Sequence, residues 1–200
     1  MEKPENIPTW DYPSSGIPVY ETNSAPKMAN TFESGGPEKK ETINPTYYTK
    51  LARVESSNNP KAEASTSSAA GLYQFTKNTW KGIVNDLGLN YTLEDRFDPV
   101  KSKIVVEAFT KKNAAHLKRK LNRNPTENEL YLAHFLGAKG SDKLLTVYEN
   151  NPNVDVSKIV SPKVINANKE VFKNDDGTNK TVSDIYNWSS KKMGEKKVNI

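Results

Sequence analysis

Pro45-Thr46-Tyr47-Tyr48-Thr49-Lys50-Leu51-Ala52-Arg53-Val54-Glu55-Ser56 is the stretch from which the folded part of this chain is read. Tyr48, Leu51, Ala52 and the Val54-Glu55 pair form one apolar stripe at helical spacing, and Pro45 suits a first helical turn because its missing N–H has no partner there. The stripe closes on an acid. A carboxylate at the end of a buried helix is poised to keep its proton near neutral pH, because leaving water disfavours the charged form.

Beyond it, Pro60 to Ala70 is rich in Ser and Ala without a clean period, which predicts an irregular loop or short β-ribbon. Phe75, Trp80, Ile83, Val84 and Leu87 mark a second helix ended by Gly88. Asp98-Pro99 is a capping acid before a first-turn proline, opening a helix to about Asn122 with Ile104, Val105, Ala108, Phe109, Ala115 and Leu121 inward. Thr126-x-x-Glu129 is a capping box for a helix carrying Leu130, Ala133, Phe135 and Leu136. Gly137 and Gly140 are expected to break it before Ser141 starts another. A short helix is expected at 162–167, and Thr181-x-x-Asp184 caps a last one holding Ile185, Trp188 and Met193. Strand signals are weak, so the fold class is mainly α.

Residues 1–44 are rich in proline, with Gly35-Gly36 and scattered polar residues. Such a segment cannot bury enough apolar surface to offset its ordering entropy, and it reads as a flexible arm. Trp10, Tyr12, Ile17, Val19 and Tyr20 between the prolines suit docking along a partner. The expected division is this arm, a globular domain over 45–150, and a helical extension over 151–200 that packs on the domain and ends in a basic tail. Hydrophobic residues make up 34% of the chain, and the mean hydropathy is −0.78, as expected of a modest core with polar tails.

The net charge of +5 favours an anionic partner, but the cluster from Lys111-Lys112 to Lys118-Arg119-Lys120 and Arg123 also reads as a solvated helix face. With no cysteine there is no disulfide framework and no thiolate chemistry. Two histidines without His-x-x-x-His spacing give no zinc site, and no phosphate-cradling glycine loop is present. No metal, organic cofactor or nucleic-acid readout is expected. His116, in a lysine-rich helix, is expected at the surface. The first residues lack the apolar core of a secretory signal, and no apolar run is long enough to span a membrane.

The segment Glu55-Ser56-Ser57-Asn58-Asn59-Pro60, then Ser68-Ala69-Ala70-Gly71-Leu72-Tyr73-Gln74-Phe75 and Thr79-Trp80, resembles the lysozyme-like lytic transglycosylases of the SLT and goose-lysozyme-like superfamily. The likeness covers about residues 45–150. It implies a helical lysozyme-like domain that cuts the glycan strands of bacterial peptidoglycan, with Glu55 as the catalytic acid and Ser56, Gly71, Tyr73, Gln74 and His134 at the substrate. Gly71 allows close backbone approach to a sugar, and Gln74 offers both a donor and an acceptor. Tyr73 either walls a sugar ring or packs in the core; Ser56 either meets substrate or fixes the backbone. A third family segment, often Ala-Tyr-Asn-Ala-Gly, has its counterpart in Ala133-His134-Phe135-Leu136-Gly137, where Phe135 replaces the Asn. His134 either takes over that polar contact or is a partly buried ring. For the family's Tyr near the acid, Tyr148 and Tyr186 are the candidates.

The implied chemistry uses one carboxylate and ends in an anhydro-muramoyl product. Hydrolysis by a lysozyme usually requires a second carboxylate, for which Glu63, Asp95 and Asp98 are the residues to weigh. The run Glu129-Leu130-Tyr131-Leu132-Ala133-His134-Phe135-Leu136-Gly137 looks like phage-encoded variants. The expected setting is therefore a phage particle opening the host wall during genome delivery, with tail or other virion proteins holding the arm. An endolysin for host lysis and a structural virion protein with little activity are the other settings.

Overall fold

The computed structural model describes residues 43–194. The expectations for the arm, apart from its last two residues, and for the basic tail after Gly194 lie outside the described residues. The described part is mainly helical. α1 (Pro45–Ser56) and α2 (Lys77–Asp86) flank an irregular loop held by isolated bridges between Glu63 and Ala70 and between Ala70 and Phe75. A 3-10 turn (Glu94–Phe97) leads into the long α3 (Pro99–Leu121). α4 (Glu127–Asn150) follows, then a 3-10 turn (Val156–Lys158), α5 (Pro162–Ala167), α6 (Lys169–Phe172) and α7 (Val182–Met193).

Four of the helix starts follow from local chemistry. Asn44 Oδ1 accepts from the Thr46 N–H at 3.0 Å to begin α1, and Asp98 Oδ1 accepts from Val100 and Lys101 at 2.8 and 3.1 Å to begin α3. Capping boxes open α4 at Thr126 and Glu129 and α7 at Thr181 and Asp184.

Two apolar clusters organise the packing. The first joins Tyr47, Tyr48 and Leu51 of α1 to Tyr73 and Phe75 of the loop and Trp80, Ile83 and Val84 of α2. It also takes Val105, Val106 and Phe109 of α3, Leu130 and Tyr131 of α4, and Met193 of α7. The second joins Leu117, Leu132, Phe135, Leu136, Leu144 and Leu145 to Val156, Val164, Ile165, Phe172, Val182 and Ile185. Trp188 packs against both.

Some sequence expectations are corrected here. Phe75 is core but lies before α2, bridged to Ala70, and Leu87 at its other end is 41% exposed. α3 buries Ser102, Val105, Val106, Phe109, Thr110, Asn113 and Leu117, while Ile104 is 43% exposed and Ala115 faces out. Val105 and Phe109 are buried as expected, but three of the inward positions are polar, so apolar periodicity alone misplaced part of the stripe. Thr110 Oγ1 donates to the Val106 carbonyl at 2.7 Å, and Asn113 Nδ2 to the Ala133 carbonyl at 3.3 Å, which is how they tolerate burial.

Gly137 does break α4, with φ 69° and ψ 165°, but Gly140 sits within the resumed helix. Its missing Cβ matters because one built there would stand 3.1 Å from Leu136 Cβ. His116 is mostly enclosed, its Nε2 3.3 Å from Asp142 Oδ2, so it ties α3 to the far half of α4.

Candidate active site

Glu55 occupies the last full turn of α1, whose end is fixed by left-handed Ser57 and Asn58. Their N–H groups donate to the carbonyls of Arg53 and Ala52 at 3.0 and 3.2 Å. The side chain is 3% exposed, and Oε2 is buried with no hydrogen-bond partner. Burial pushes the carboxyl up to about 8, against the pull of the Lys192 ammonium on α7. The negative end of the α1 macrodipole acts in the same direction as burial. At neutral pH this group is an acid holding its proton.

The loop after it is built to a tight specification. Ala70 N–H donates to the Phe75 carbonyl at 3.2 Å, enclosing the turn Gly71-Leu72-Tyr73-Gln74, and Gly71 N–H donates to the Ala62 carbonyl at 2.8 Å. Gly71 has φ +81°, and a Cβ there would lie 1.9 Å from the Arg96 carbonyl oxygen. The close backbone approach expected of Gly71 is therefore to Arg96. Gln74, with φ 49°, donates Nε2 to the carbonyls of Gly71 and Ala62 at 2.8 and 3.2 Å, so its amide nitrogen serves the turn. The Ser56 hydroxyl lies 2.9 Å from the Leu72 carbonyl and 3.0 Å from that of Ala52, which ties the acid-bearing helix end to the turn. The Tyr73 ring is 4% exposed and belongs to the first core cluster.

His134 reaches this turn from α4. Its Nε2 lies 3.1 Å from the Tyr73 carbonyl, which only accepts, so Nε2 carries the proton of a neutral ring. The ring packs edge-on against Phe75 and Phe109 at 5.7 and 5.8 Å. Burial pushes it down to about 4, although the Tyr73 hydrogen bond works the other way, and Nδ1 is buried without a partner.

Ser56, Gly71, Gln74 and His134 thus meet around one turn, mostly through backbone carbonyls, and Glu55 directly precedes Ser56 on α1. Phe135 points elsewhere, against Trp188 at 4.9 Å and Phe172 at 5.9 Å. Tyr148 and Tyr186 stack on each other at 3.9 Å beside the second cluster, and no tie to Glu55 links them. The tyrosine electrostatically coupled to Glu55 is Tyr47, two turns earlier on α1. Its hydroxyl is fully buried beside Thr110 without good hydrogen-bond geometry, and burial followed by the Glu55 charge raises it.

Arg96 is the residue sequence reading missed. Nearly buried, it donates Nη1 to the Ser68 and Phe75 carbonyls at 2.7 and 3.1 Å and Nε to Leu93 at 2.9 Å, pinning both ends of the loop. A lone arginine in Leu93-Glu94-Asp95-Arg96 carries no pattern that would reveal this.

Of the three carboxylates weighed as partners, Glu63 is exposed. Asp95 accepts from Thr92 at 2.6 Å and pairs with Lys101 at 2.5 Å, and Asp98 caps α3. A concavity of about 780 Å³ lies elsewhere, lined by Lys169, Glu170, Lys173, Asp175, Asp176 and Lys180, and holds none of the expected site residues. Among the described residues no group of three or more His, Cys, Asp or Glu is arranged to hold a metal ion, and no helix is long and apolar enough to cross a membrane.

Residues 34–124 match the family model of the transglycosylase SLT domain. The match runs from before α1 through α3, and takes in Glu55, the Gly71–Gln74 turn and Arg96.

Proposed function

We propose that this chain, which carries the lysozyme-like transglycosylase SLT domain of peptidoglycan-cleaving enzymes, cuts glycan strands by the lytic route with Glu55 as its acid and base. The observation that carries the reading is the buried, unpaired Oε2 of Glu55, protonated at neutral pH, on the helix end that Ser56 ties to the Gly71–Gln74 turn. Glu55 gives its proton to the oxygen bridging N-acetylmuramic acid and N-acetylglucosamine. As that bond breaks, the 2-acetamido group stabilises the positive anomeric carbon. The Glu55 carboxylate then takes the proton of the muramoyl hydroxymethyl group, whose oxygen closes onto the anomeric carbon. The acid is regenerated, the product ends in an anhydro ring, and no water is consumed.

The commitment of Asp95 and Asp98 to caps and an ion pair, and the exposure of Glu63, support this route over hydrolysis through a second carboxylate. Ser56, Gly71, Gln74 and His134 hold the turn in place, and the edges they leave exposed are the proposed sugar contacts. The proposed setting is a phage particle acting on the host wall, on the strength of the apolar residues spaced between prolines in the arm.

Zymography on peptidoglycan with wild type and Glu55→Gln tests the acid; equal clearing by both sinks the assignment. Mass spectrometry of released muropeptides tests the route, because anhydro ends are one water lighter than the reducing ends a hydrolase leaves. Absence of the protein from purified particles would reject the virion setting.

A further inference from the structure

The 3-10 turn Glu94–Phe97 is seated on the core from two sides. Before it, the fully buried Trp80 of α2 donates Nε1 to the Thr92 carbonyl at 2.8 Å. Within it, Asp95 accepts from the Thr92 N–H at 2.6 Å and pairs with Lys101 of α3 at 2.5 Å, and Asp98 then caps that helix. From this seat the turn meets the loop between α1 and α2 at three places. The Lys61 ammonium lies 5.6 Å from the centre of the Phe97 ring, within cation–π range. The Arg96 carbonyl oxygen fills the space that a Cβ on Gly71 would need. The Arg96 guanidinium donates Nη1 to the Ser68 and Phe75 carbonyls at 2.7 and 3.1 Å, while Nε holds its own segment at Leu93.

Ser68 and Phe75 flank Gly71–Gln74, so that single nitrogen closes the neck from which the Gly71–Gln74 turn projects. The same turn presents the Leu72 carbonyl to the Ser56 hydroxyl, one residue from Glu55. Hydrogen bonds from a charged donor are stronger than neutral ones, and the planar guanidinium fixes direction as well as distance. Burial disfavours the charge, and the three acceptors are neutral carbonyls. An apolar side chain would fill the space without that cost but could not hold the neck.

We propose that Arg96 is a positioning residue for the reaction: by closing the neck of the Gly71–Gln74 turn from a rigid seat, it fixes where that turn stands against the acid-bearing end of α1. The inference rests on Glu55 being the acid. A displacement of about 1 Å in an active site can cost about a hundredfold in rate with substrate still bound. A loosened neck therefore shows in turnover before it shows in affinity.

The experiment compares the full chain with Arg96→Met and Arg96→Lys, and with Phe172→Leu, a core change in the second cluster that serves as the control for lost stability. Amide hydrogen exchange is read at Ala70 and Gly71, whose N–H groups bond to the Phe75 and Ala62 carbonyls, and at Val106 in α3. Arg96→Met is expected to speed exchange at Ala70 and Gly71 about tenfold more than at Val106. In muropeptide release it should lower kcat about tenfold or more, with KM held within about twofold. Arg96→Lys, which keeps the charge on a single donor point, should recover part of both, and Phe172→Leu should keep the wild-type kcat. Unchanged kcat in Arg96→Met, an equal rise in exchange at all three amides, or an equal kcat loss in Phe172→Leu overturns the proposal. Failure of both Arg96 variants to fold also overturns it, since Arg96 would then serve the fold alone. Should the neck loosen and kcat fall while Glu55→Gln stays active on peptidoglycan, the role of Arg96 stands but the reading of Glu55 as the acid fails.

Discussion

A single proton on Glu55 ties the stability of the fold to pH. An unfolded glutamate releases it near 4.5, the folded one near 8. Below 4.5 both states are protonated and the position costs nothing. As pH rises through the window the folded state must hold a proton that the unfolded state has lost, so stability falls, and above about 8 the penalty is complete. Glu55→Gln removes it. Thermal unfolding of that variant should match wild type near pH 4.5 and pull ahead toward pH 8, by at most about 1.4 kcal/mol per pH unit. A constant gap across that range would mean the carboxyl is not sequestered as described. The burial of Glu55 was legible because it ends an apolar stripe. The partners of Ser56, Gly71 and Gln74 were not, because each is a backbone carbonyl, and carbonyls leave no trace in a sequence.

The turn Gly71–Gln74 is held at more points than its five-residue motif suggests. With φ +81° and the Arg96 carbonyl in the way, Gly71→Ala must displace either the turn or the 3-10 segment bearing Arg96. Urea unfolding should report a loss of about 2 kcal/mol or more, whereas Gly88→Ala, which also has positive φ but open space around its Cβ, should lose about 1. Similar losses at both sites would leave the Arg96 contact without weight. Helix starts were legible because capping uses a short list of side chains at fixed spacing: Asp98, Thr126 and Thr181 all cap as expected. The inward face of α3 was not, since Ser102, Thr110 and Asn113 are polar residues that settle their hydrogen bonds inside the protein.

The family match ends just after α3, but the packing does not. α4 and α7 bring Leu130, Tyr131 and Met193 into the cluster that buries Tyr47, Tyr48 and Leu51 of α1. A chain stopped at Asn150 would lose Val156, Ile165, Val171, Phe172, Ile185 and Met193 from the two clusters. At about 1.5–3 kcal/mol for each buried side chain, that rivals the roughly 5–15 kcal/mol that holds a typical domain together. Such a chain should show no cooperative thermal transition by circular dichroism; a sharp transition near the wild-type temperature would mean residues 151–200 are dispensable to the fold. An extension over 151–200 was the expectation from the sequence. What it hid is that α7 packs back on α1, because packing between segments so far apart in the chain has no local signature. Trp188 stands where these two halves meet, shared between both clusters and ringed by Tyr131 and Phe135. With Trp10 and Trp80 changed to Phe, its emission colour becomes a built-in optical gauge of whether the C-terminal helix is seated, readable in a cuvette while substrate is being turned over.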